Sequence, residues 1–230
     1  MAGSTTIDVS LSANLVNELT GANNGVYADA VSFDASGDPV WTSLVNNGTV
    51  QTNGTADIVF PDDTAGAKLY FLIQGTTSTT ATPIITNAIS TESQINWANA
   101  ASLDFSYDSF EFTLKNTGPD AGNLTSVNAY GLPLGVVVPQ NGSRGYAISG
   151  TSLTNELGSI AVNNGSTSTT INADYTYTEG ALNGLFREAI APAEAVASPG
   201  TVASFSPSDW NGYIDSLEGT LANDILTIPK

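Results

Sequence analysis

Alternation with a period of two, broken at short intervals by turn residues, constrains this chain more than any other feature. From Ser106 to Lys115, residues Phe110, Phe112 and Leu114 fall on one side and Ser109, Glu111, Thr113 and Lys115 on the other. Successive side chains of a strand point to opposite faces, so this run predicts a strand with one apolar face. Comparable runs cover 5–11, 25–33, 40–45, 56–60 and 68–74, with further strands expected at 124–130 and 135–138. Asp34-Ala-Ser-Gly-Asp-Pro39, Asn46-Asn-Gly48 and Asn116-Thr-Gly-Pro-Asp-Ala-Gly122 separate them. These residue types favour tight turns through positive φ or side chain to backbone hydrogen bonds. Pro133 predicts a bend or bulge, because proline cannot donate to a sheet ladder. Residues 76–82 read as a polar loop, and 96–102 as a short helix or loop.

The last third changes character. Leu182, Leu185, Phe186 and Ile190 have helical spacing, and Pro192 stops the run. Ser206-Pro-Ser-Asp209 caps a second predicted helix reaching about Leu221, with Trp210, Tyr213, Ile214 and Leu217 on one face. Residues 224–228 form a final predicted strand. Many strands, then two helices, then one strand predict a single mainly β domain over 1–230. Its expected form is an antiparallel sandwich or barrel with a β core over about 5–175 and a small α-containing part over about 180–222.

Composition narrows the chemistry. The chain has 230 residues and no cysteine, so it must be held by its core, without disulfides or thiolate metal sites. It has no histidine either, which excludes a Ser–His–Asp triad and the usual zinc ligands. Acid–base chemistry therefore falls to carboxylates or tyrosines. Five Lys+Arg face 22 Asp+Glu, a formal charge of -17, which repels nucleic acid and anionic membranes. No run approaches a membrane span, so membrane insertion is not expected. The first residues carry neither a basic n-region nor an apolar h-region, so no signal peptide is read there. Low lysine, no cysteine and abundant Asn and Thr suggest an extracellular or cell-surface protein. Asn-x-Ser/Thr sequons begin at Asn47, Asn53, Asn123, Asn141 and Asn164, and turn chemistry is their simpler reading. The acidic turns at Asp34–Asp38 and Pro61–Asp63 could offer oxygen ligands to calcium but lack EF-hand spacing. No metal and no cofactor is expected, and the oligomeric state is not legible.

Several stretches, in order, resemble one family. They are Gly25-Val-Tyr27 with Val40-Trp41, Gly66-Ala-Lys-Leu-Tyr-Phe-Leu-Ile-Gln-Gly75, Tyr107-Asp-Ser-Phe-Glu-Phe-Thr113, Leu124-Thr-Ser-Val-Asn-Ala-Tyr-Gly-Leu-Pro-Leu-Gly135, and Tyr213-Ile-Asp215 with Leu226-Thr-Ile228. Together they resemble the thaumatin-like β-1,3-glucanases of glycoside hydrolase family 64. The resemblance implies a thaumatin-like β-barrel beside a smaller α/β part, a groove between them, and inverting hydrolysis of a β-1,3-glucan polysaccharide or oligosaccharide. It implies the general acid at Glu111. The family's general base, an aspartate, falls where this chain has Asn128.

Inversion needs two carboxyl groups about 6.5–9.5 Å apart, one protonated to release the leaving oxygen and one ionised to activate water. Asn128 cannot accept that proton; its amide can only orient a water or bind a hydroxyl. Replacement bases are sought at Asp104, Asp108, Asp120 and Asp174, with Asp120 first because its turn joins the two key strands. Thr113 shares the face of Glu111 and matches a substrate-contacting position of the family. Asn116 and Tyr130 are further candidate contacts. Trp97 is the preferred stacking residue over Trp41 and Trp210, since it lies in a polar stretch. Three functions follow: a hydrolase with Glu111 and a displaced base, a non-catalytic glucan-binding module, or a structural surface or adhesion protein.

Overall fold

The structure, a computed structural model, describes residues 3–21, 25–77, 89–91, 94–95, 105–125, 129–138, 142–145, 177, 179–185, 187 and 189–190. The chain is mainly β, and the strand pairings among the described residues are antiparallel. Strands β1 (Ser4–Ser10), β2 (Val26–Phe33), β3 (Pro39–Asn46), β5 (Thr55–Pro61) and β6 (Ala67–Gly75) follow the expected runs closely, and a short β4 (Thr49–Val50), not expected, pairs with the end of β3. Short strands β7 (Ile89–Thr91) and β8 (Gln94–Ile95) pair with each other. Then come β9 (Phe105–Thr113), β10 (Ala121–Thr125), β11 (Ala129–Tyr130), β12 (Gly135–Val138), β13 (Gly142–Gly145) and β14 (Ala189–Ile190).

The central sheet has the order β10-β9-β6-β2-β3-β4. One of its faces carries Val26, Ala28 and Ala30 of β2, Ala67, Leu69, Phe71 and Ile73 of β6, and Phe110 and Phe112 of β9. A β1–β5 ribbon lays Val9, Ile58 and Phe60 onto this face. The Phe60 ring meets Phe112 edge to face, with centroids 4.8 Å apart. Such ring pairs contribute about 0.5–1.5 kcal/mol beyond the area they bury. Asn47 and Gly48 both take positive φ, 49° and 74°, and close a two-residue hairpin between Asn46 and Thr49. That torsion pair matches the right-handed twist of the strands it joins, which is why Asn-Gly recurs there. Asn47 Oδ1 also accepts the Gly25 N–H at 2.7 Å, so this sequon asparagine is a turn residue, as expected.

Three local expectations are corrected. A helix, α1 (Ala13–Gly21), stands between β1 and β2 where none is predicted. Its signals are present: Ser12 Oγ accepts the Leu15 N–H at 3.2 Å, and Leu15 and Leu19 are spaced to face the core, where Leu19 is buried. The helix predicted over 182–190 does not form. Gly180–Leu182 is a single 3-10 turn, and Ala189–Ile190 is strand, pairing with Ala129 and Tyr130. Gly184 takes φ +81°, and its N–H donates to the Tyr177 carbonyl at 2.8 Å, so the backbone is spent on a reversal rather than on helical bonds. Finally, β9 stops at Thr113, two residues early, because the Leu114 N–H donates to Thr64 O and the Lys115 N–H to the Asp120 carboxylate. The expectations at 78–82, 96–102, 206–221 and 224–228 lie outside the described residues. Among the described residues no helix is long and apolar enough to cross a membrane.

Candidate functional site

Glu111 is placed by β9. Directly opposite residues of neighbouring strands share a face, so register alone puts Lys68 of β6 and Asn123 of β10 beside Glu111. This face is opposite the one bearing Phe110 and Phe112, as the alternation predicts. Lys68 Nζ lies 4.0 Å from Glu111 Oε2, and the two side chains are 26% and 40% exposed. Partly exposed pairs of this kind contribute about 0.2–1 kcal/mol, so the pair orients charge more than it stabilises the sheet. Thr113 follows on the same face, half-buried, its Oγ1 accepting the Gly66 N–H at 3.1 Å. Cross-strand from Thr113 stands Ala121. The structure thus brings together Lys68, Glu111, Asn123 and Thr113 as a polar, solvent-reached rim at one end of the sheet.

The face is not polar throughout. Towards the start of β9 it carries Tyr107 and Phe105, both buried, beside Leu72 and Gln74 of β6. The strand is buried on both sides there, and only Phe110, Glu111 and Thr113 near its end are partly exposed. Trp41 shares this face of the sheet through its pairing with Val31, and it is half-buried.

The other candidates are more scattered. Asp120 is exposed, and its Oδ1 accepts the Lys115 N–H at 2.9 Å, closing the turn between β9 and β10. It precedes Ala121, whose partner is Thr113, so it stands at the turn end of the rim. Asn116 is exposed in the same turn. Asp108 is buried on the opposite face, its Oδ1 accepting the Ser109 N–H at 2.8 Å. Tyr130 lies in β11, which pairs with β14. Trp97, Asn128, Asp104, Asp174 and Trp210 lie outside the described residues. Asp34 Oδ1 accepts the N–H groups of Ser36 and Asp38, so the first acidic turn uses its carboxylate on its own backbone. Among the described residues no three acidic, histidine or cysteine side chains gather to hold a metal ion.

Two features escape sequence reasoning. A buried polar strap ties residues 177–187 to the sheet: Tyr177 Oη donates to Ile73 O at 2.8 Å and lies 2.6 Å from Ser106 Oγ. Ser106 in turn donates to Arg187 O, and Arg187 Nη1 reaches Phe105 O at 3.4 Å. The second is Asp29, 4% exposed in the middle of β2, whose carboxyl burial pushes from 3.8 up to about 6 against the lowering effect of a Ser43 hydrogen bond. An acidic residue inside the apolar run Val-Tyr-Ala-Asp-Ala-Val is the signal that could have singled it out. No protein-family model matches the chain, and no curated protein matches it.

Proposed function

We propose that this is an extracellular or cell-surface domain of thaumatin-like glucanase type that binds β-1,3-glucan without cleaving it. The observation that carries the reading is the rim of Lys68, Glu111, Asn123 and Thr113, which offers an ammonium, a carboxylate, an amide and a hydroxyl on one sheet face. Neutral sugars are held by such a mixture, because each hydroxyl both donates and accepts. The resemblance of the β6, β9 and β10–β12 segments to family 64 names the sugar. Three points favour binding over hydrolysis. The resemblance sets Asn128 where the family has its base, Asp120 closes its own turn, and among the described residues Glu111 has a lysine rather than a second carboxylate beside it.

Retention on insoluble curdlan tests the reading. Wild-type chain is retained, Glu111→Ala weakens retention at least several-fold with the fold intact, and laminarin yields no oligosaccharides on long incubation. No retention of wild type at low salt would sink the proposal. Release of oligosaccharides that depends on Glu111 would replace it with the hydrolase reading, and loss of that release in Asp120→Asn would identify the displaced base.

A further inference from the structure

Asp29 has no role in the rim. It sits in the central region of the sheet, where β2 pairs with β3 and β6. A register shift between Ala28 and Asp29 sets Ser43 opposite Asp29 and Val45 opposite Ala28, leaving Leu44 as the extra residue of a bulge. Ser43, exposed and directly across the pair from Asp29, offers its hydroxyl to the carboxyl, which favours the ionised form. Ser43 Oγ also reaches Val45 O on its own strand, at a long 3.4 Å. The second carboxyl oxygen, Asp29 Oδ2, is buried with no hydrogen-bond partner among the described residues, and so is Tyr27 Oη two residues away on the same face. Ser43 has one proton and two acceptors within reach, so the protonation of Asp29 decides where that proton goes.

From this arrangement we infer that Asp29, Ser43 and Val45 form a proton-dependent clasp on the β2–β3 bulge, closed in mildly acidic surroundings and loosened at neutral pH. With Asp29 neutral, its O–H donates to Ser43 Oγ, and Ser43 donates onward to Val45 O. With Asp29 ionised, Ser43 turns its proton to the carboxylate, Val45 O loses it, and a buried charge held by that single bond remains in the sheet. A buried ion without a counter-charge is costly, whereas the neutral acid is not.

Among the described residues, the neighbours supply no counter-charge. From β6 the same face presents Tyr70, Leu72 and Gln74; from β3, Ser43 and Trp41; from β2 itself, Tyr27 and Val31. The 3-10 turn Gly180–Leu182 that touches β2 carries no charge, and Glu179 before it is exposed. The described basic side chains are elsewhere: Lys68 pairs with Glu111 at the far rim, Lys115 is exposed beyond the end of β9, and Arg187 is directed at Phe105 O on β9.

The sign is fixed by linkage. Asp29 holds its proton more tightly folded than unfolded, so the folded state gains stability as pH falls from about 6 towards 3.8 and loses it as pH rises through about 6. Thermal unfolding of the full chain between about pH 3.5 and pH 8 tests this, with Asp29→Asn as the neutral mimic. The variant is expected to match wild type near pH 3.5, below the unfolded value, and to exceed its Tm by about 3–6 °C at pH 8. Equal pH slopes in both proteins would overturn the clasp. A 13C titration of the wild-type aspartate carboxyls needs no variant: one resonance is expected to titrate near 6, and all midpoints in the ordinary carboxylate range would overturn it. Ser43→Ala is expected to move that midpoint upward, because the ionised form loses its one charge-assisted bond; a downward move would refute the relay.

Discussion

Glu111 and Phe112 are chain neighbours with opposite energetic weights. Phe112 is 3% exposed and meets Phe60 and Phe110, so Phe112→Ala should cost about 3–5 kcal/mol in denaturant unfolding. Lys68→Ala, which removes only the partner of Glu111, should cost under about 1 kcal/mol in the same measurement. The gap between the two values follows from burial, since a ring removed from a close-packed core leaves a cavity while a rim charge leaves water. The direction of Glu111 was legible in the alternation of its strand. Its pairing with Lys68 was not, because nothing local relates a lysine of β6 to a glutamate of β9. Asp29 shows the reverse case: the apolar run around it is a local signal of burial, while its proton affinity depends on Ser43 and on having no cation beside it among the described residues, both set by register.

At the scale of elements, the β1–β5 ribbon holds an uncomfortable pair. Asp8 stands directly opposite Asp57, both exposed on the outer side of the ribbon. Like charges placed directly across an antiparallel pair are destabilising. Asp57→Thr should therefore raise stability by about 0.2–1 kcal/mol in urea unfolding at low salt, and most of the gain should vanish near 1 M salt. A gain that is independent of salt would point instead to strand propensity. The runs that became β2, β3, β5 and β6 were readable because each has apolar residues matched to its faces and is bounded by turn residues. The stretch 182–190 misled because its helical spacing competed with a tertiary use of the same backbone. Leu182 fills the space against Gly75, and the N–H of Gly184 is claimed by Tyr177. Helix α1 carries its signals locally, in the Ser12 cap and in leucines four residues apart.

For the whole molecule, Tyr177 is the long-range tie. Its hydroxyl joins Ile73 and Ser106, residues far away in sequence, inside the structure. Tyr177→Phe keeps the ring and removes the oxygen, leaving Ile73 O and Ser106 Oγ each short of a partner. A loss of about 1–3 kcal/mol is expected in guanidinium unfolding, with an unchanged m-value if the fold is retained. What the sequence determined by itself is the mainly β class, the strand runs, the turns and the side of its strand that Glu111 takes. These follow from side-chain alternation and turn torsions, which act over a few residues. Only the tertiary structure decided the strand order, the company of Glu111, the surroundings of Asp29 and the fate of 182–190. Those depend on which distant segments share a face, and a hydrogen bond or a counter-charge from another strand leaves no trace in the local pattern.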